Sequence, residues 1–268
     1  MTAPEIRALR KGRNMRLQVL GCDGGIGDPL RTCALLVNDH VLLDAGTGLG
    51  ELPLQKLTEI DHVFITHAHA DHIANVPLLI DAVMARRVRP VIIHATEETL
   101  RTLKEHIFNW SVWPDFTQLP SPESPSMRFS QLKLGETIDV KGCRITPIPA
   151  KHTIPTVGFH LECDGTSVAY CGDTTSCDSL WSTLNGKENI RCLIIETAFD
   201  DAKRRLAERT GHLCPEILAA ELDKFQQTPE IYISHMKPGL ADTIMREVKQ
   251  TVRGRSPQKL TRGQLLEF

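Results

Sequence analysis

The 268-residue chain has no apolar window of membrane-spanning length, no low-complexity segment and no internal repeat. Crossing a bilayer takes about 18 or more consecutive apolar residues, so the sequence predicts no spanning helix. The first twenty residues, MTAPEIRALRKGRNMRLQVL, carry basic side chains but no apolar stretch of signal-peptide length, and no leader is expected. Cysteines number eight (22, 33, 143, 163, 171, 177, 192 and 214), yet no two have CxxC spacing. Most lie in apolar segments such as CRIT, VAYC and RCLII, which reads as buried free thiols in a reducing cytoplasm. An excess of charge is also missing: 31 basic residues oppose 33 acidic ones, for a net charge of -2. That balance argues against a nucleic-acid coat protein and leaves the clusters at 7–16 and 252–262 as the only candidates for phosphate-backbone contacts.

What the chain does have is 41% hydrophobic residues, enough for the core of one large α/β domain, and 11 histidines. Short leucine-rich or β-branched runs predict strands at RLQVL (16–20), CALLV (33–37), HVLLD (40–44), HVFIT (62–66) and VIIHA (91–95). Helical periodicity covers 73–86. Thr96, followed by Glu97 and Glu98, reads as the N-cap of a helix running to about Phe108. The proline- and serine-rich LPSPESPSM (119–127) is expected to connect two halves of the domain. Strands follow near 128–133, 136–140, 143–149, 156–163, 167–171, 191–196 and 230–234, with helices at 176–184, 201–208, 215–226 and 241–252. KLTRGQLLEF is expected to close the chain with a hairpin-like strand. Strands first and helices after, twice over, suggest two α/β halves whose sheets face each other. Residues 1–15 read as an N-terminal arm and 16–268 as the domain.

The segment Thr66-His67-Ala68-His69-Ala70-Asp71-His72 lies between an apolar strand and an amphipathic helix. Two histidines two apart in an extended stretch can share one metal ion, and Asp71 and His72 at the helix entry can serve a second. Imidazole and carboxylate suit zinc, iron or manganese.

This HxHxDH motif resembles the signature of the metallo-β-lactamase-fold hydrolases, and the resemblance extends over nearly the whole chain. It implies an αββα sandwich of two facing mixed sheets with helices outside. It also implies further ligands at later strand ends: His152 in PIPAKHT, Asp173 in AYCGDT and His235 in IYISHMKP. On this resemblance His67, His69 and His152 hold one divalent ion, Asp71, His72 and His235 the other, and Asp173 bridges them. Asp44, in LLDAG, matches an early strand-end aspartate, with orientation of the histidine loop or simple turn capping as its two readings.

Within the fold, LGCDGGIGDPLRT (20–32), IANVPLLIDAV, HIFNWSVWPDF (106–116), IIETAF (194–199) and GHLCP (211–215) look like the bacterial branch of the class II 3′,5′-cyclic-nucleotide phosphodiesterases, relatives of the transfer-RNA 3′-processing endonucleases. The implied reaction converts a small cyclic nucleotide to its 5′-monophosphate, with Asp71 orienting the attacking hydroxide. His212, supported by Glu196, would protonate the departing 3′ oxygen. The alternatives are a ribonuclease Z-like endonuclease and an esterase or lactonase on the same metals. Relatives of this kind tend to dimerise.

Other features divide between two readings. Gly25-Ile26-Gly27 does not complete GxGxxG, so the glycines of 21–27 read as a turn at the rim of the metal cleft rather than a dinucleotide site. Arg31 either meets a phosphate or is solvated. Trp110 and Trp113, beside Asn109, either stack on a base or pack in a core or dimer interface. His40, His62, His94, His106 and His160 read as structural.

Overall fold

A computed structural model describes residues 15–268, so all of the expected N-terminal arm except Met15 lies outside the described residues. Fourteen strands form two seven-stranded sheets. The first contains β1 (Arg16–Gly21), β2 (Ala34–Val37), β3 (Val41–Leu43), β4 (His62–Phe64), β5 (Val91–Ala95) and β6 (Met127–Gln131), joined at the β1 edge by β14 (Leu265–Glu267). The second contains β7 (Ile138–Val140), β8 (Cys143–Pro149), β9 (Val157–Cys163), β10 (Thr166–Tyr170), β11 (Ile190–Glu196), β12 (Glu230–Ser234) and β13 (Gln258–Lys259). Both sheets mix antiparallel and parallel pairs.

Most strand residues are buried on both faces, because one face of each sheet meets the other sheet and the opposite face meets helices. Leu17, Val19, Phe64, Phe159, Leu161, Tyr170 and Ile194 meet in one apolar cluster between the sheets. The outer face of the first sheet packs on α1 (Leu54–Leu57), α2 (Ala70–Ile73), α3 (Val76–Val83) and α4 (Glu97–Thr102). The outer face of the second packs on α5 (Asp178–Asn185), α6 (Arg204–Thr210), α7 (Pro215–Leu222) and α8 (Ala241–Thr251). The order helix, sheet, sheet, helix is the expected αββα sandwich.

Four local expectations need correction. The helix expected at 73–86 is two helices, because the Asn75 amide is drawn to the Ala45 carbonyl (2.8 Å) and Pro77 starts a new first turn. Thr96 does cap α4, its hydroxyl accepting from the Thr99 amide, but the helix then widens into a π-type turn over Leu103–Ile107. The segment 119–127 leads into β6 inside the first half; the chain crosses between sheets later, between Gln131 and Ile138. The terminal KLTRGQLLEF is no hairpin, since β13 pairs parallel with β12 while β14 pairs antiparallel with β1.

The cysteine reading also changes. Cys143 and Cys163 lie directly opposite on β8 and β9, with Cα atoms 4.4 Å apart, and form a disulfide. Period-2 apolar patterning places both on the inner face, but only the strand register makes them partners. The other six cysteines are free and buried.

Candidate metal centre

Strand direction puts all the motif residues at one edge of the sandwich. The loop after β4 carries His67 and His69, the first turn of α2 carries Asp71 and His72, and Asp44 follows the parallel neighbour β3. The turns after β8, β10 and β12 carry His152, Asp173 and His235, and Glu196 ends β11. Asp44 and His235 both take the left-handed conformation (φ 55° and 57°), a strained backbone that tertiary contacts must hold. One such contact is Gly24: a Cβ there would stand 2.4 Å from the His235 carbonyl oxygen, so only glycine lets the 20–32 turn close on this loop.

The histidines converge. His69 Nδ1 lies 3.0 Å from His67 Nε2 and 3.1 Å from His152 Nε2, and Asp173 Oδ2 is 3.8 Å from each of those Nε2 atoms. Alongside, His235 Nε2 is 3.2 Å from Asp71 Oδ2 and 3.4 Å from Asp173 Oδ2, and His72 Nε2 is 3.3 Å from Asp173 Oδ1. Asp173 therefore stands between the two groups. Ligands about 2.0–2.1 Å from one tetrahedral ion sit roughly 3.4 Å from each other, close to these spacings.

The far side of three of the rings is held. His152 Nδ1 donates to the Gly211 carbonyl (2.8 Å), His67 Nδ1 faces the Thr66 hydroxyl (3.0 Å), and His72 Nδ1 donates to Asp44 Oδ2 (2.7 Å). With those nitrogens occupied, the other nitrogen of each ring turns its lone pair inward. His72 Nε2 and Asp173 Oδ1 are buried without a hydrogen-bond partner, which in a native interior calls for an ion or ordered solvent. The donor set fits divalent cations.

Electrostatics support the ligand form of His67, His69, His152, Asp71 and Asp173, whereas burial would lower His72 but Asp173 and Asp44 hold it well above its usual value. Burial, followed by the charge of His72, lowers the His67 pKa well below its usual value; burial and neighbouring histidines also lower His69, and burial lowers His152. Burial alone would raise Asp173, yet His235, His72 and His67 hold it well below the carboxylate range. Asp71 is lowered in the same way by His235 and His72. Neutral imidazoles and ionised carboxylates are the ligand states.

Asp44 does more than cap a turn. It accepts from the Thr66 amide (2.8 Å) and hydroxyl (3.0 Å), from His72 and from the Tyr170 hydroxyl (2.8 Å), all in the dry interior. A single carboxylate thus orients residues of both groups.

Glu196 and His212 also meet. His212 Nδ1 is 2.6 Å from Glu196 Oε1, and Glu196 further accepts from the amides of Thr174, Ala198 and Leu213. Ligating atoms of Asp173, His212 and His235 all lie within 4.8 Å of one another, so His212 itself shares a metal-competent group with two of the expected ligands. Burial would lower the His212 pKa, but the charge and hydrogen bond of Glu196, with Asp173 beyond, leave it raised.

Other candidates fall away. Arg31 donates to Glu51 (2.5 Å) and to the Leu30 carbonyl, so it is ion-paired rather than aimed at the centre. The Asn109–Trp113 turn lies near the start of β6, where the Met127 amide meets the Phe116 carbonyl, at the sheet end opposite the histidine loop. Stacking of Trp110 or Trp113 on a base bound at the centre has no support in that placement. His40, His62, His94, His106 and His160 lie outside every metal-competent group among the described residues, and His62 pairs with His94 (2.9 Å).

Two residues escaped the sequence reading. Tyr170 looks like a core aromatic until its hydroxyl is placed on Asp44. Cys33, in the apolar run CALLV, puts its sulfur within 4.8 Å of ligating atoms of His72 and His235. Neither has a spacing signal, because each partner is distant in sequence.

Comparison with known proteins agrees with this geometry. A family model described as a beta-lactamase superfamily domain matches residues 39–236, most of the chain. A probable 3′,5′-cyclic-nucleotide phosphodiesterase of Yersinia pestis is 27% identical over 272 residues, covering 82% of this chain and 77% of that protein. A ribonuclease Z of Haloarcula marismortui is 28% identical over 158 residues, covering 56% of this chain and about half (48%) of that protein. Among solved structures, unliganded yeast PDE1 superposes with a TM-score of 0.80 at 17% identity, covering 95% of this chain and 99% of that one. With the αββα sandwich and the converging histidines and aspartates, the match over residues 39–236 makes this chain a member of the β-lactamase superfamily, with the metallo-β-lactamase fold.

Proposed function

We propose that the chain is a dinuclear metal-dependent phosphodiesterase that opens the 3′ ester of 3′,5′-cyclic nucleotides, cyclic AMP or cyclic GMP, to give 5′-monophosphates. The observation that carries this reading is the buried Glu196–His212 pair, a supported proton donor standing beside the converging histidines and Asp173. The Yersinia pestis relative supports the choice of substrate.

His67, His69 and His152 would hold one divalent ion, Asp71, His72 and His235 a second, and Asp173 both; zinc is the first choice, with manganese or iron as substitutes. When bound, such ions neutralise phosphoryl oxygens and lower the pKa of a coordinated water. This chain's own groups then do the rest. Asp71, at 29% side-chain exposure, accepts a hydrogen bond from the attacking water and fixes its approach. His212 keeps Nδ1 on Glu196, so its Nε2–H is the donor that delivers a proton to the departing 3′ oxygen. Glu196, fixed by three backbone amides, holds that tautomer and favours the charged ring. The reading includes a cytoplasmic setting, for which six free thiols speak and against which the Cys143–Cys163 disulfide speaks, and a homodimer, which sedimentation would test.

Turnover of cyclic AMP, cyclic GMP, a transfer-RNA precursor and an acyl lactone by the metal-loaded protein tests the reading. Cyclic-nucleotide hydrolysis well above the others is expected. Cleavage of the precursor alone would replace it with an endoribonuclease, the reading that the Haloarcula marismortui relative favours.

A further inference from the structure

Cys33 is the one cysteine among the described residues whose sulfur shares a metal-competent group, and its partners are His72 and His235. The thiol is buried, at 2% exposure, and the turn that carries it is fixed: its carbonyl accepts from the Gly46 amide (2.8 Å), beside Asp44. His72 Nε2, in the same group, is buried without a hydrogen-bond partner, and the His72 and His235 rings are at most 1% exposed. A thiol packed against two imidazoles is a poor hydrogen-bonding arrangement but a good ligand set for a thiophilic cation.

We infer that Cys33 supplies a sulfur ligand to the His72–His235 half of the centre and biases that half toward thiophilic cations of the zinc and cadmium class over manganese. The inference rests on the proposed dinuclear centre and adds a ligand to it. The step balances simply: the sulfur–metal bond forms as the S–H bond breaks, and the proton leaves to solvent, with no change of oxidation state. The other half, built from His67, His69 and His152, has no sulfur nearby and keeps a nitrogen and oxygen environment. The two ions are therefore held unequally, and a soft metal fills the Cys33 half first.

Cobalt substitution tests this without reference to turnover. Metal-free protein titrated with cobalt(II) should develop a near-ultraviolet thiolate-to-cobalt charge-transfer band, along with visible ligand-field bands that need no sulfur. Cys33→Ser should lose the first and keep the second at two ions per chain, and its preference for cadmium over manganese should fall by about 10–100-fold. Cys33→Ala provides a second variant should serine disturb folding. Two bound ions with no sulfur band in the unmodified protein, or a band that survives in both variants, overturns the assignment of Cys33 alone. Failure to bind two ions at all overturns the dinuclear reading and this inference with it.

Discussion

His212 has one free ring nitrogen, because Glu196 occupies Nδ1 at 2.6 Å. Its removal should therefore affect the departure of the 3′ oxygen rather than metal or substrate binding. For His212→Ala we expect both ions to stay, KM to change little and kcat to fall by about 10²–10⁴-fold. A p-nitrophenyl ester, whose leaving group needs little protonation, should recover much of the rate; equal loss on both esters would mean a structural cap. The pH profile tests the same pair. A general acid must be protonated, and Glu196 and Asp173 raise the His212 pKa above its ordinary 6.5 despite burial. Activity should persist above that pH and fall as pH rises through the raised value. Glu196→Gln removes the raising charge, so the fall should move to lower pH; an unmoved profile would remove His212 from the acid role.

The strands show how far the sequence could be read and where reading stopped. β8 at 143–149 and the strand ends bearing His152, Asp173 and His235 were legible, because short apolar runs and turn residues are local signals. Pairing is not local. Cys143 and Cys163 became partners only through the β8–β9 register, and Tyr170 reached Asp44 only through the facing of the two sheets. The helix expected at 73–86 broke because a backbone bond to Ala45, invisible in the periodicity, overrode it. The disulfide closes a loop with a sequence separation of 20, which in the chain-entropy account stabilises by about 3 kcal/mol. Reductant should lower the Tm, and Cys143→Ser with Cys163→Ser should be insensitive to it; an unchanged Tm in the parent would show the bond contributes nothing. β9 also buries His160, whose pKa burial, with Lys187 and Arg144, lowers to about 4. The folded chain then binds fewer protons than the unfolded one between pH 6.5 and about 4, so stability drops as pH falls through that window. His160→Gln should flatten this part of the pH–stability curve; the same slope in the variant would assign the acid sensitivity elsewhere.

Across the whole molecule, the seven proposed ligands come from both sheets, with Asp173 the only one placed between the two groups. Metal analysis should approach two ions per chain, and metal binding should raise the Tm by joining the halves. Asp173→Ala should deplete both positions together; full metal content with near-normal turnover would rule out a bridging role. One architectural detail bears on how the protein is made. β1, next after the described start, has as its outer neighbour β14, with Arg16 opposite Glu267 and Met15 bonded to Phe268 in both directions. On the ribosome, β1 is made long before β14, so its edge stays uncovered until residues 265–267 have been synthesised. Until then it offers an open row of amides and carbonyls to any other nascent strand. Crowded translation is thus a moment of exposure for β1, and slow synthesis of the β14 segment should cost yield before it costs activity.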